Sequence, residues 1–560
     1  MDQPVPSLRA LDDAGAIWRT PAARPWIFLA FALVILGGAI RLAFLMSRSD
    51  RFEDDQRQHV FWAYREGDPE LFKNDLVTEH YASSAMAPLG YKFLHSTIAK
   101  MMDAQLGAEI GASCLMLIGI ALIYKTGKTV TATNSPIGGV VALLTFFLLS
   151  FPKVEVMRPF LPAMLQRSFE PVLTMLTLIG LVRGRVILVG FTMLLAALVY
   201  PIALANIGLS TLIVEGTRLI RTRTLPRGWL LAAILAAGSI GVLAARHVPE
   251  KFGALITAGE AREMPIFQVG GRQQMFGAGA TTYFFDQPET GLRISLPKFV
   301  AAMIVLSILL AIVGLRRIPF ALWAFFAASV ISWTAAHLLL FKLYMPGRHP
   351  KVAWFFVFAA AAIAPPLWEK FSRAEWGGRI VRLLMKPRVA WSGALIVPAV
   401  YSIGWGSIQI RANAPAPAEI RELNEFVKSL PKKTLLAGYP EDVDDIPLVC
   451  QRSVLVSRET ALAFYMGFFR EMEIRIRDCL AALYASDWAA VDHLHAKYGV
   501  NVFIVNIERF APPYVEPWLL PVASAHIERG RQRGFVLKDP PTERVMFRRG
   551  PWTAVRVSPP

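Results

Sequence analysis

Charge, cysteine and nucleotide or metal signatures are scarce in this chain, and each shortage narrows what it does. Only 18% of its 560 residues are charged, against about 25% in soluble domains. The three cysteines, Cys114, Cys450 and Cys479, form no Cys-x-x-Cys and no His/Cys metal spacing. There is no Gly-x-Gly-x-x-Gly and no P-loop, so nucleotide binding has no support. No Ser-His-Asp or Cys-His signature points to a covalent hydrolase. Lys and Arg exceed Asp and Glu by 59 to 42, yet no RNA-recognition or zinc-finger pattern accompanies them. The basic residues fall mainly in short loops between apolar segments, and no nucleic acid partner is expected. No repeat with a period of 20–50 residues is present.

What dominates instead is apolar sequence: 54% of residues are hydrophobic and the mean hydropathy is +0.43. That composition implies an α-helical polytopic membrane protein. Eleven spans are expected, near 26–46, 107–124, 136–151, 160–182, 186–199, 202–216, 228–245, 297–315, 318–341, 352–368 and 390–407. The run 186–216 is divided at Tyr200-Pro201, because proline removes a helix hydrogen bond, and the two short spans are accommodated beside their neighbours. Met1 to Arg24 carries Asp2, Asp12 and Asp13, and no small-residue cleavage site follows the first apolar run, so that span is expected to be retained. Arginines and lysines then gather on one side, at Arg183 and Arg185, at Arg218 to Arg227, at Arg316 and Arg317, and from Lys370 to Arg388. The positive-inside rule makes that side cytoplasmic. It puts segment 1–25 and loop 369–389 inside, and loops 47–106 and 246–296 and the tail 412–560 outside.

The tail alternates helix and strand patterns: helices near 418–430, 459–484 and 487–498, strands at 434–439, 453–457 and 501–506, and a hairpin around Gly550-Pro551. Ser486 is the expected cap of helix 487–498, and Gly499 its end. This predicts a separable extracytoplasmic α/β domain after the linker Asn413–Pro417. Cys450 and Cys479 are either bridged, as suits an oxidising compartment, or two buried thiols. The Gly-rich stretch Val269–Ala280 is either a mobile loop over a site or a disordered connector.

The most pointed chemistry lies just past the first span. Glu53-Asp54-Asp55 opens a loop rich in charge and aromatics that runs to Tyr81. Carboxylates at a membrane edge are costly and mark candidate sites. A solvated loop start with Glu53 paired to Arg57 is the simpler alternative. Arg51, Asp55 and His59 share a face if 53–66 is helical, with Phe61, Trp62 and Tyr64 at headgroup level. A second acidic stretch holds Asp68, Glu70 and Asp75. Lys153, Glu155, Arg158, Arg167 and Glu170 surround the fourth span's outer end, and Arg348 and His349 sit between spans nine and ten. Acids suit a general base or a metal, and arginines suit a phosphate, which they bind bidentately. Together they suit a phosphate leaving group and an acceptor hydroxyl. The Glu-Asp-Asp trio could also offer oxygen ligands to Mg²⁺ or Mn²⁺.

An acidic motif opening the first outer loop, a pair of short spans broken at Tyr200-Pro201 and a terminal outer domain together resemble the GT-C superfamily of polytopic glycosyltransferases. That superfamily uses polyprenyl-phosphate sugars and includes protein O-mannosyltransferases, lipid A aminoarabinose transferases and oligosaccharyltransferase catalytic subunits. The resemblance covers roughly 26–411 in architecture. It implies an inverting transferase in a bacterial inner (plasma) membrane, moving a sugar to an envelope acceptor hydroxyl on the outer, periplasmic face. It places the base on Asp55 or Asp54, with Glu53 as a partner; Asp55 is favoured because Arg51 and His59 face it. His59, Asp75, Arg158, Arg167 and Arg348 are candidate substrate contacts by position. The mannosyltransferase-like branch usually has Asp-Glu where this chain has Glu-Asp-Asp. The Trp-Trp-Asp signature of oligosaccharyltransferases is absent from the tail, which argues against peptide asparagine as acceptor. A transporter or flippase of a lipid-linked or anionic substrate, and a non-catalytic membrane scaffold, are the competing readings.

Overall fold

A computed structural model describes residues 24–46, 55–150, 163–384, isolated positions between 386 and 396, and 417–511 and 515–558. The expected eleventh span, 390–407, lies largely outside them, as do Glu53, Asp54, Lys153, Glu155 and Arg158. The described chain is mostly helical, with one small sheet in the tail.

Five helical segments among the described residues are long and apolar enough to cross a membrane: Ala104–Thr129, Ala203–Thr222, Leu296–Val313, Phe320–Leu338 and Pro346–Arg373. Shorter apolar helices pack beside them, including Pro136–Ser150, Val186–Val199 and Trp229–Ala244. The break at Tyr200-Pro201 is real: one helix ends at Val199 and the next starts at Ala203. At about 1.5 Å per residue the 14-residue helix Val186–Val199 reaches only about 21 Å. Packing therefore carries it. It lies against Trp229–Ala244, and a Cβ on its Gly190 would come within 3.0 Å of the Ala232 backbone. Phe146, Trp354 and Phe358 stack through the bundle core at 5.7 and 6.0 Å.

The tail sheet has strands β1 (Leu435–Gly438), β2 (Ser453–Val454), β3 (Val502–Asn506), β4 (Val545–Arg549) and β5 (Trp552–Arg556). Their order is β2-β1-β3-β5-β4. β1 pairs in parallel with β2 and β3, while β5 runs antiparallel to β3 and β4. Helix Leu520–Arg533 was not anticipated, because its charged stretch has little apolar periodicity. The helix expected at 459–484 begins only at Met466. Residues before it form turns that end in one antiparallel bridge, Leu255 to Tyr465, where the Phe464 carbonyl accepts from the Ile256 N–H and the Met466 N–H donates to the Ala254 carbonyl, both at 2.9 Å. Asp487, not Ser486, serves the start of Ala489–Tyr498, accepting from the Ala489 N–H at 3.0 Å.

Nor does the tail stand apart. One continuous core runs from Phe61, Trp62 and Tyr81 in the loop after the first apolar helix, through Phe252 and Phe267 in the loop 246–296, to Phe468 and Leu480 in the tail. His80 stacks on Phe468 at 3.8 Å and 9°. Trp62, Phe61 and Tyr64 are therefore buried in protein rather than placed at headgroup level. The Gly-rich stretch is sewn to the tail too, with Gln273 Oε1 accepting from the Ala463 N–H at 2.8 Å.

Of the two alternatives for the tail cysteines the structure takes the second: Cys450 and Cys479 are free, buried thiols. The alternation of side chains along a strand explains this. Leu436, Val502 and Ala554 face one cluster, which holds Cys450. Ala437, Phe503 and Val555 face the other, which holds Cys479. The sheet lies between them, and burial pushes both thiols up to about 12. Alkylating the denatured chain without reductant should therefore modify all three cysteines; a product two alkyl groups short would contradict this arrangement.

Candidate functional site

Asp55 begins the short helix Gln56–His59, its carbonyl accepting from the His59 N–H at 3.0 Å. Asp55 and His59 both line a cavity of about 590 Å³. The hydroxyl of Tyr91 reaches the carbonyls of His59 and Met164, at 3.2 and 3.3 Å. It thereby ties this helix to the turn that carries Arg167. Ser168 shapes that turn: its Oγ donates to the Ala163 carbonyl and accepts from the Leu165 N–H, both at 3.0 Å. The result is an ion pair between Arg167 and Asp55 at 2.7 Å.

Arg348 arrives from the opposite wall on the single turn Pro346–Arg348. The Gly347 N–H donates to the Glu289 carbonyl at 2.8 Å. A Cβ at Gly347 would lie 2.4 Å from the Pro288 oxygen, so only glycine permits this approach. Arg293, Phe341 and Tyr344 near this turn all have positive φ (59°, 68° and 65°), a strained backbone typical of functional sites. Lys351 Nζ donates to the Arg348 carbonyl and to Glu170, both at 2.8 Å.

Beside the large cavity lies a smaller one of about 90 Å³, lined by Arg167, Glu170, Tyr200, Arg293, Arg348 and Lys351 among others. Arg167, Tyr200 and Arg348 border both. Cations crowd there: burial and the neighbouring Arg348 push Arg293 down to about 10. Burial works against the Asp55 charge, but the guanidinium groups of Arg167, Arg348 and Arg272 hold its carboxyl below the usual range. Burial pushes His59 down to about 4 despite Asp55, so its imidazole is neutral at physiological pH.

Of the expected site residues, the structure thus brings Asp55, His59, Arg167 and Arg348 to one cavity. Asp75 does not join them. It caps helix Leu76–Tyr81, accepting from the Thr78 N–H at 3.0 Å and the Thr78 hydroxyl at 2.5 Å. A buried carboxylate spent on its own helix is not a substrate contact. Arg57 pairs with Asp445 of the tail at 2.5 Å; its expected partner Glu53 lies outside the described residues.

Glu53, Asp54 and Arg158 lie outside the described residues. Among those described, no three His, Cys, Asp or Glu side chains are grouped to hold a metal.

Tyr200, Arg293 and the Lys351–Glu170 pair are cavity residues that the sequence reading did not assign to the site. Arg293 carried a signal, as an arginine just ahead of a span at its outer end. Two tail residues, Phe464 and Tyr465, also border the large cavity.

No protein-family model matches the chain, and no curated protein matches it. Solved structures it resembles include those of the Archaeoglobus fulgidus oligosaccharyltransferase. The form tethered with an acceptor peptide containing the NVT sequon is 12% identical, with a TM-score of 0.47, and the match covers 90% of this chain and 72% of that one. The apo form is 11% identical at a TM-score of 0.43, covering 86% and 70%. The complex with Zn and sulfate is 11% identical at 0.36, covering 88% and 70%. These likenesses assign no role to any residue.

The depressed titrations set a pH dependence. His59 has an ordinary value of 6.5 and a folded value of about 4, so acid protonates the unfolded chain first. Its contribution to stability is complete above about pH 6.5 and is lost as the pH falls toward 4. Thermal melts of wild type and His59→Gln in detergent should show wild type losing ground to the variant between pH 8 and pH 4.5. A difference that stays flat over that range would contradict the buried neutral imidazole.

Proposed function

We propose that this chain is a membrane glycosyltransferase that moves a sugar from a polyprenyl-phosphate donor to an envelope acceptor hydroxyl, with inversion, on the outer face of a bacterial inner membrane. The observation that carries this reading is the meeting of Asp55 with Arg167 and Arg348 on one cavity, at helix ends. Arg183, Lys370 and Arg218 lie on the remote side. Arg183 ends the helix whose first residue is Glu170, and Lys370 reaches the Ile312 carbonyl. That separation of basic ends from the cavity supports an outward-facing site. Transporters instead place such charges near the midplane.

In this reading the small cationic cavity takes the donor phosphate, with Arg348, Arg167, Arg293 and Lys351 around it. The acceptor hydroxyl enters the large cavity near Asp55. Its proton passes to the Asp55 carboxylate as its oxygen bonds to the anomeric carbon. The carbon–oxygen bond to phosphate breaks on the opposite face, and the electron pair leaves with the phosphate. The arginines stabilise the charge that gathers there. In the empty site Arg167 holds Asp55 as a weak base. A phosphate that engages Arg167 draws it from Asp55 and makes that carboxylate more basic, so donor binding readies the base.

The base and the binding groups separate by mutation. Asp55→Asn keeps shape and hydrogen bonding but removes the proton acceptor, and turnover should fall by about 10²–10⁴-fold while donor binding survives. Arg348→Ala should weaken donor binding by removing a charge-assisted contact. Both are read from transfer kinetics and donor titration of purified protein. Undiminished transfer by Asp55→Asn at normal expression would remove the catalytic centre from this account.

A further inference from the structure

A second cleft opens on the same outer side and shares no lining residue with the two cavities above. It is an open cleft of about 510 Å³, lined by Arg262, Gln268, Phe276, Tyr283, Phe284 and His337. Its wall is a single π-helical turn, Thr282–Asp286, a rare geometry found mostly at functional positions. Opposite stands the last turn of helix Phe320–Leu338.

The rings are locked together. The Tyr283 hydroxyl bonds His337 Nδ1 at 3.1 Å. Phe284 packs edge-on against Trp333 at 5.9 Å and against His337 at 5.5 Å. Trp333 Nε1 is fixed by the Thr290 carbonyl at 2.9 Å, and Thr290 Oγ1 donates to the Tyr283 carbonyl at 2.6 Å. Yet Phe284 stays 40% exposed. Arg262 lies over the Phe276 ring at 5.7 Å, and the Gln268 amide donates to the Arg262 carbonyl at 2.5 Å.

This lining separates one class of ligand from others. A lipid tail wants an apolar wall, but four of the six lining side chains carry hydrogen-bonding groups. A bare anion wants charge without rings. Rigid aromatic faces with amide, guanidinium and hydroxyl groups at the rim suit a ligand with an apolar face and a polar edge, as a pyranose ring has. The volume falls in the usual range for small-ligand sites, about 300–1,000 Å³. Position adds to this: the segment from Tyr283 to Thr290 passes through Glu289, whose carbonyl seats Gly347 beside Arg348. The cleft and the transfer cavity are thus joined by a few residues of backbone.

We propose that this cleft is a saccharide subsite, seating a ring of an acceptor glycan next to the transfer cavity, with Arg262 placed for an acidic substituent. The proposal rests on the reading that the acceptor is a glycan, so its test must not depend on transfer. Full-length protein in phosphatidylcholine nanodiscs would be applied to an array of printed bacterial envelope oligosaccharides, both neutral and uronate-containing. Hits would be titrated by tryptophan fluorescence, since Trp333 stands behind the Phe284 ring. Wild type should bind a defined subset of the printed oligosaccharides. Phe284→Leu, which keeps an apolar side chain without the ring, should bind at least about 10-fold more weakly, and Phe284→Tyr should retain binding. Arg262→Ala should selectively weaken the uronate-containing ligands. Wild-type binding unchanged in Phe284→Leu, or no array glycan bound at all, would overturn the subsite. So would native mass spectrometry showing that Phe284→Leu displaces a phospholipid rather than a glycan. Loss of glycan binding in Phe284→Leu together with full transfer by Asp55→Asn would sink the catalytic reading and leave the subsite standing.

Discussion

A fully buried carboxylate, Glu459, joins the two long hydrophilic loops to the tail. Gln58 of the first loop donates to it at 2.8 Å, Arg272 of the second pairs with the same oxygen, and Arg458 of the tail reaches the other at 3.3 Å. Its own N–H donates to Asp444 at 2.9 Å. A charge so deep is tolerated only while its partners stay, and removing one typically costs about 3–5 kcal/mol. Gln58 sits on the turn that carries Asp55 and His59. The tail therefore holds the candidate base in place through one side chain, with Arg57–Asp445 as a second tie on the same turn. The outer loops and the tail are one body for this reason, and the site is built from segments some 400 residues apart.

The site's electrostatics follow from crowding cations around few acids. Asp55, Glu170 and Glu289 face Arg167, Arg293, Arg348 and Lys351. Arg167 and Arg348 hold the Asp55 carboxyl down against its burial, and the excess of cations leaves the small cavity suited to an anion. The same crowding that makes Asp55 a weak base in the empty site makes it sensitive to any ligand that draws Arg167 away.

How much of this was legible in the sequence depends on the range of the interaction concerned. Apolar runs and the Tyr200-Pro201 break are local, and the helices around them fall within a few residues of expectation. Strand patterns at 434–439 and 501–506 are local too, and β1 and β3 lie there. The positions of Asp55, Arg167 and Arg348 at helix ends could be read from span boundaries, which is why they were singled out. Asp75 misled because an acid in a loop and an acid capping a helix look alike until Thr78 is seen bonded to it. The choice between a Cys450–Cys479 bridge and two buried thiols stayed open because sequence does not say which face of a sheet each cysteine takes. Glu459, Arg293 and the burial of Trp62 depend on contacts far apart in sequence, and no local pattern announces them.

The central claim, transfer of a sugar from a lipid-linked donor, is tested most directly in cells that lack the gene. Mass spectrometry of polyprenyl-phosphate sugars and of envelope glycans from a deletion strain should show one accumulated donor and one glycan missing the matching residue. Reintroducing the wild-type chain should restore both, and reintroducing Asp55→Asn should not. Unchanged donor pools and an intact glycan profile in the deletion strain would contradict the account.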